Sequence, residues 1–454
     1  QAVGAGGEPV PLLERVGRQP RQALHPAGAA GQPDHPRRLL LLGLPLAACA
    51  PRAAVPTGPA PSPSTSAPVV ASAAARRLSP VQAVVDSIAD SPAFANAHWG
   101  VLIVDPRRGD TLAIRHADKL FLPASNQKLL TAALALASVD TAYRWRTDLV
   151  ATGPVRAGTL DGDLVVVGRG DPTWSVLGGW PDATASLRAL ADTLAARGVR
   201  RIGGTVRLDT RAFPGPVHGF GWDWDDLTEP YGAGVGALLW NDGIAATRDS
   251  AGREVAQRDP HDAWRDAFVA ALRTRGVAVD GRAVRGSARA DTLVVWWSPM
   301  TLGAALAPML KPSQNQWAEA IWRTVALERS GVGAADSARV LTERWLAGLG
   351  VPSTAHAVRD GSGLSRHDYV TPRLLVTVLE SVRRGPHAAL FRASLPVGGV
   401  DGTLERRMRG TPLAGRVRAK TGTVDKARNL SGLLELPNGD TLVFALLANN
   451  FSVP

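Results

Sequence analysis

An antiparallel β-sheet covered by helices, with an α/β-type domain inserted into it, is the architecture that this sequence predicts. Three observations carry it. Residues 123–137, PASNQKLLTAALALA, carry leucine or alanine on every side past Lys128, at 129, 130 and 132–137, and a helix that is apolar all round lies in a core. Hairpin patterns stand at both ends of the folded part, where they can pair in one sheet. Between them, residues 151–290 change texture, to short strand patterns and amphipathic helices.

The chain has 454 residues, 45% of them hydrophobic, enough for one large domain or two ordinary ones. Residues 1–36 show no apolar period and read as disordered or upstream sequence. Arg37 and Arg38 then precede an apolar run and a small-residue stop, a secretory signal pattern. The run is too short to remain as a membrane span. Its end, Leu46-Ala47-Ala48-Cys49, is similar to a bacterial lipobox, which implies a lipid on Cys49 and an exported, periplasmic protein tethered to a membrane by that lipid alone. Cys49 is the single cysteine, so no internal disulfide is possible. A plain cleaved signal with an incidental cysteine is the alternative. Residues 50–78, rich in Pro, Ala and Ser, cannot bury enough apolar area to fold and read as a tether.

The first catalytic part is expected over 79–150. Residues 81–88 have helical spacing, 99–104 read as a strand, 106–110 as a turn, and 111–115 as the returning strand. The buried helix follows. Within 151–290, strands are predicted at 163–167 and 204–208, and helices at 185–197 and 262–275. A strand at 292–297 opens the second catalytic part, 291–454. Residues 429–436 and 441–448 flank Pro437-Asn438-Gly439-Asp440, a strong hairpin signal.

The chemistry starts from lysine. Only five of the chain's 51 Lys and Arg residues are lysine. Arginine stays charged in a protein, whereas lysine can lose its proton, so each retained lysine carries information. Lys128 follows Ser125 by three residues, on one helix face. Serine needs a base in reach to act as a nucleophile, and burial lowers the pKa of a lysine toward that use. The bland reading is a helix cap beside a solvated lysine. Lys311 introduces Ser313 and Asn315, which can face one cleft from a loop entering a helix; Ser313 as the N-cap of a helix over 315–327 is the competing reading. Lys420 introduces Thr421, Gly422 and Thr423 on a predicted strand. Gly422 admits close approach of another backbone or a ligand, and the lysine and threonines offer a ledge for a carboxylate. An exposed edge strand is the competing reading there.

In this order, S-x-x-K, S-x-N and K-T-G form the signature set of penicillin-binding proteins and serine β-lactamases. The segments 170–173 (GDPT), 221–226 (GWDWDD), 360–366 (DGSGLSR) and 395–403 (LPVGGVDGT) resemble the class C low-molecular-mass penicillin-binding proteins, the D-Ala-D-Ala carboxypeptidases/endopeptidases of family S13. The resemblance covers residues 80–452. It implies the penicillin-binding-protein/serine β-lactamase fold and an acyl-enzyme on Ser125. Lys128 would be the base, and Ser313 would relay a proton to the leaving amine. Asn315, Lys420, Thr421, Gly422 and Thr423 would bind substrate, and the backbone N–H groups of Ser125 and Thr423 would form the oxyanion hole. Asp226, or else Asp225, would meet the amino end of diaminopimelate. Peptidoglycan stem peptides and β-lactams are the implied partners, and no metal or organic cofactor is implied. Relative to the larger family members the insert is short, and the resemblance implies a terminal helix beyond Pro454.

The net charge of +11 comes from scattered arginines, with no basic stripe interleaved with aromatics, so nucleic acid is not the expected partner. Two rivals remain from the sequence. A β-lactamase or esterase of the same superfamily would turn over rapidly. A cell-wall-binding lipoprotein with a dead site would bind peptide without releasing D-Ala.

Overall fold

The structure is a computed structural model, and it describes residues 79–281, 284–285 and 291–452. The signal pattern, Cys49 and the tether lie outside the described residues.

The two terminal hairpins do join. The strand His98–Asp105 pairs antiparallel with Thr441–Asn449, with Trp99 opposite Ala448. The full order is Val417–Val424, Ala427–Glu435, Thr441–Asn449, His98–Asp105, Asp110–Arg115, every pairing antiparallel. Gly439 turns the last hairpin at φ +86°, a backbone that glycine adopts without steric cost. The K-T-G strand, Val417–Val424, is an edge of this sheet.

The apolar helix is Gln127–Ser138, buried from Gln127 to Leu136. It sits in the largest core, packed with residues of the helices Leu302–Leu310, Asn315–Ser330 and Pro372–Arg384. Leu129, Leu130 and Leu134 are each at most 1% exposed. Burial of such a side chain contributes ~1.5–3 kcal/mol, so this helix is anchored by its apolar residues and can carry costly polar ones.

A second sheet runs Val284–Arg285, Val206–Asp209, Leu164–Val167, Arg144–Ala151, Asp291–Thr301. The first three strands are parallel and the last two pairings antiparallel. The helices Ala185–Ala196 and Pro260–Thr274 cover it around a core that includes Trp174 and Trp264. This sheet reaches past 151–290, because Arg144–Ala151 and Asp291–Thr301 pair with each other at its edge. A strand was expected at 292–297, but nothing local in either sequence signals that the two pair. Asp291–Thr301 runs directly into the helix Leu302–Leu310, so the second sheet is joined to the main core by continuous elements.

The irregular stretch after this sheet returns to the main core. Trp222 Nε1 donates to Asp360 Oδ2 at 2.8 Å, and Trp317 Nε1 to Asp242 Oδ1 at 2.7 Å. Gln316 Nε2 donates to the carbonyls of Pro230 and Ala233. These bonds hold residues 222–242 against the loop at Asp360 and the N-terminal end of the helix Asn315–Ser330.

Candidate active site

Ser125 lies in a single 3-10 turn, Ala124–Asn126, that leads straight into the apolar helix. The sequence placed it in the first helical turn; the turn is tighter, and the spacing of three still sets Lys128 beneath it. Lys128 Nζ is 2.9 Å from Ser125 Oγ. The helix N-terminus adds a positive field that favours an oxyanion on that serine.

Lys128 is fully buried. Its Nζ also donates to Asn315 Oδ1 at 2.5 Å and to the Ser362 carbonyl at 2.7 Å. Burial lowers its pKa to about 7, against the opposing pull of Asp360, Glu319 and Asp368. A neutral amine has two N–H groups and one lone pair. Two of the three neighbours accept only, and the third is a hydroxyl. With both carbonyl oxygens served, the lone pair is left for the hydroxyl of Ser125, which is the arrangement a base requires.

Ser313 adopts φ +68°, a strained conformation for a non-glycine residue that costs ~1–3 kcal/mol. The helix after it is capped by Gln314, whose side chain accepts from the Gln316 N–H at 2.9 Å, so Ser313 is not spent as a cap. Its Oγ accepts from Lys420 Nζ at 2.8 Å. Lys420 is fully buried, and burial followed by repulsion from Lys128 holds its pKa well below the usual lysine range. It is thus an interior donor and not a charge on a surface ledge, because its side chain turns in under Ser313.

The edge strand and its neighbour Ala427–Glu435 are clamped to the serine turn. Asn126 Nδ2 donates to the Lys420 carbonyl at 3.2 Å, and Asn429 Nδ2 to that of Pro123 at 2.8 Å. A Cβ on Gly422 would stand 2.6 Å from the Pro123 oxygen, so this position has no room for a side chain. Gly363 does the same from the opposite wall: at φ +81°, its Cβ would lie 1.8 Å from the Ala124 oxygen.

Ser125, Ser313, Asn315 and Thr423 line one cleft of about 580 Å³, together with Asp223, Asp225 and Asp226. Asn315 Nδ2 donates to the Tyr231 carbonyl at 2.8 Å, which leaves its amide fixed between both halves of the site. Asp226 is buried in the wall, accepting from Tyr231 Oη at 2.9 Å and from Arg366 at 3.0 Å. Asp225 is exposed at the mouth. Thr421 Oγ1 meets Thr403 Oγ1 at 2.8 Å beside the cleft. Lys311 lies apart from it and ties Asp401 and the Leu395 carbonyl into a strut.

Sequence reasoning passed over four contributors. Arg366 bridges Asp226 and Asp223. Tyr231 steadies Asp226. Asp360 gathers the N–H groups of Ser362, Gly363 and Ser365, which aims the Ser362 carbonyl at Lys128. Glu319 accepts from the Gly361 and Ser362 N–H groups. Its signal was visible: a carboxylate in the otherwise apolar run Trp317-Ala318-Glu319-Ala320-Ile321.

A model of the D-Ala-D-Ala carboxypeptidase 3 (S13) family matches residues 81–252 and 243–454. A D-alanyl-D-alanine carboxypeptidase of Actinomadura sp. is 31% identical over 462 residues, covering 85% of this chain and 84% of that protein. Carboxypeptidase DacB of Mycolicibacterium smegmatis is 31% identical over 410 residues, covering 86% and 85%. Among solved structures, penicillin binding protein 4 (dacB) from Haemophilus influenzae superposes with a TM-score of 0.71 at 23% identity, over 79% of this chain and 92% of that one.

Proposed function

Since the chain belongs to the D-Ala-D-Ala carboxypeptidase 3 (S13) family, we propose a role for each group in its cleft. The protein is a class C low-molecular-mass penicillin-binding protein, a serine-type hydrolase with D-Ala-D-Ala carboxypeptidase/endopeptidase function. Its substrate is the stem peptide of peptidoglycan. The contact that supports the assignment of residues most directly is Lys128 Nζ at 2.9 Å from Ser125 Oγ, with two carbonyl acceptors taking its other protons.

Ser125 Oγ attacks the carbonyl of the D-Ala-D-Ala bond as Lys128 takes its proton. The oxyanion is met by the backbone N–H groups of Ser125 and Thr423. Thr423 suits this because it stands on an edge strand, where alternate N–H groups have no ladder partner. One such donor is worth ~2.7–4 kcal/mol of barrier. Ser313 Oγ already accepts from Lys420, so its own proton is free to pass to the leaving amine; the proton taken up by Lys128 replaces it, which restores the Ser313 hydroxyl and leaves Lys128 neutral. The bond to D-Ala then breaks, and water hydrolyses the acyl-enzyme with Lys128 again as the base. Thr423 receives the terminal carboxylate, Lys420 and Thr421 hold the charge and hydrogen-bond network behind it, and Gly422 lets the strand come close. Asn315 holds the substrate amide. Asp226 and Arg366, backed by Asp223, offer opposite charges to the zwitterionic end of a diaminopimelate side chain.

We place the protein outside the cytoplasm, in the periplasm, held to a membrane by a lipid on Cys49. The Arg37-Arg38 pair, the apolar run and the single cysteine support that reading.

Release of free D-Ala from a diaminopimelate-containing stem pentapeptide tests the reaction. Wild type should release one D-Ala per peptide and Ser125→Ala none. Binding of the pentapeptide with no D-Ala released by wild type would mark a dead site.

A further inference from the structure

Lys128 is gripped from two sides. One grip is Asn315, at the start of the helix Asn315–Ser330. The other is the Ser362 carbonyl, on the loop from Asp360 to Arg366. A backbone carbonyl on a loop aims only as well as the loop is held. Glu319 stands four residues after Asn315, on the same helix face. Its Oε1 accepts from the Gly361 N–H at 2.6 Å and from the Ser362 N–H at 2.9 Å. One carboxylate oxygen therefore ties the helix that carries Asn315 to the loop that carries the Ser362 carbonyl.

We infer that Glu319 is a positioning residue for acylation: it fixes the distance between the two carbonyl acceptors of Lys128 and so aims the lysine lone pair at Ser125. This rests on the proposed role of Lys128 as the base. Glu319 is not a catalytic residue, since its side chain lines a cavity behind the helix, not the cleft that holds Ser125.

The charged groups around it fit that part. Asp360 and Asp368 face it from the loop, Arg323 from its own helix, and Lys128 from the apolar helix. Arg339 and Arg359 share the cavity behind it. Arg323 is occupied, donating to the carbonyls of Gly333, Val235 and Pro214. Burial, then Asp360, pushes Glu319 up to about 8. The task asked of Oε1 is to accept two backbone N–H groups, which a glutamine oxygen reproduces.

The test is the rate of Ser125 acylation by a fluorescent penicillin between pH 5 and 9, on wild type, Glu319→Ala and Glu319→Gln, with a thermal melt of each. A misplaced reacting group costs up to about 100-fold. Glu319→Ala should lose about 10- to 100-fold of the plateau rate on that scale. Its rise with pH should also move to more acid values, because the Ser362 carbonyl no longer holds the ammonium form of Lys128. Glu319→Gln should keep the wild-type plateau. A Glu319→Ala variant with the wild-type rate and profile would overturn the inference. So would a Glu319→Gln variant that melts like wild type and is as slow as the alanine variant; this arm decides the matter if Glu319→Ala does not fold. Wild type that fails to acylate at all would instead refute the role given to Ser125 and Lys128.

Discussion

Replacing Lys128 by arginine keeps a positive side chain and removes the ability to give up its proton, since a guanidinium stays charged in a protein. The pocket around Nζ is closed: Lys128 is 0% exposed, with acceptors at 2.5 and 2.7 Å and the nucleophile at 2.9 Å. General-base catalysis contributes roughly 10²–10⁴ in rate, or ~3–5 kcal/mol at about 1.4 kcal/mol per factor of ten. Lys128→Arg should lose at least that much in the acylation rate, measured as labelling of Ser125 by a fluorescent penicillin. Lys128→Met should lose as much while folding. It leaves Asn315 Oδ1 and the Ser362 carbonyl unserved, at ~1–3 kcal/mol each, and relieves the protein of a buried amine. The wild-type rate should rise with pH through about 7 and level off above it. The same group shapes stability. A lysine held at about 7, below its ordinary value near 10.5, binds fewer protons folded than unfolded between those two values. Stability attributable to Lys128 therefore increases as pH rises from about 7 toward 10.5, and its burial cost is fully felt below about 7. A folded Lys128→Arg variant that acylates within tenfold of wild type, with the same rise near pH 7, would refute the reasoning.

Two further perturbations separate the walls of the cleft. Gly422→Ala puts a methyl 2.6 Å from the Pro123 oxygen and must push the edge strand off the serine turn. It should cost ~1–3 kcal/mol of stability in a denaturant melt and slow acylation of Ser125 more than that loss of folded protein explains. Arg366→Met releases Asp226 and Asp223 from their shared partner. It should raise KM for a diaminopimelate-containing peptide by roughly tenfold or more, the scale of removing one charged hydrogen bond, while leaving acylation by a penicillin without such a side chain within about twofold; equal losses on both ligands would show that Arg366 supports the fold instead.

The sheet was legible because its strands sit in hairpins with local turn signals, as at Asn438-Gly439. The apolar helix was legible because, after Lys128, only Thr131 interrupts its run of leucine and alanine before Ser138. Pairing of Arg144–Ala151 with Asp291–Thr301 was not, since it joins strands separated by the whole insert and neither carries a turn signal. At the site, the residues that announced themselves were those whose type is costly to keep: a lysine where arginine is the habit, a glycine where a strand would take a side chain. The Ser362 carbonyl was invisible because a backbone group has no letter in a sequence. Asp360 and Arg366 fell inside a segment that was legible only by resemblance, and their partners Trp222 and Asp226 come from the insert. Ser313 shows the limit of local reading: an N-cap was the simpler expectation, and the strained backbone that frees it for Lys420 is set by packing around it.

The central claim is that Ser125 forms a covalent acyl-enzyme. Intact-protein mass after exposure to a penicillin, on wild type and Ser125→Ala, tests it most directly. The account predicts one stable adduct on wild type, mapped to the peptide containing Ser125, and none on the variant. An adduct that persists on Ser125→Ala, or none on folded wild type while the penicillin is left intact, would contradict it. Rapid consumption of the penicillin with no standing adduct would instead make the protein a β-lactamase.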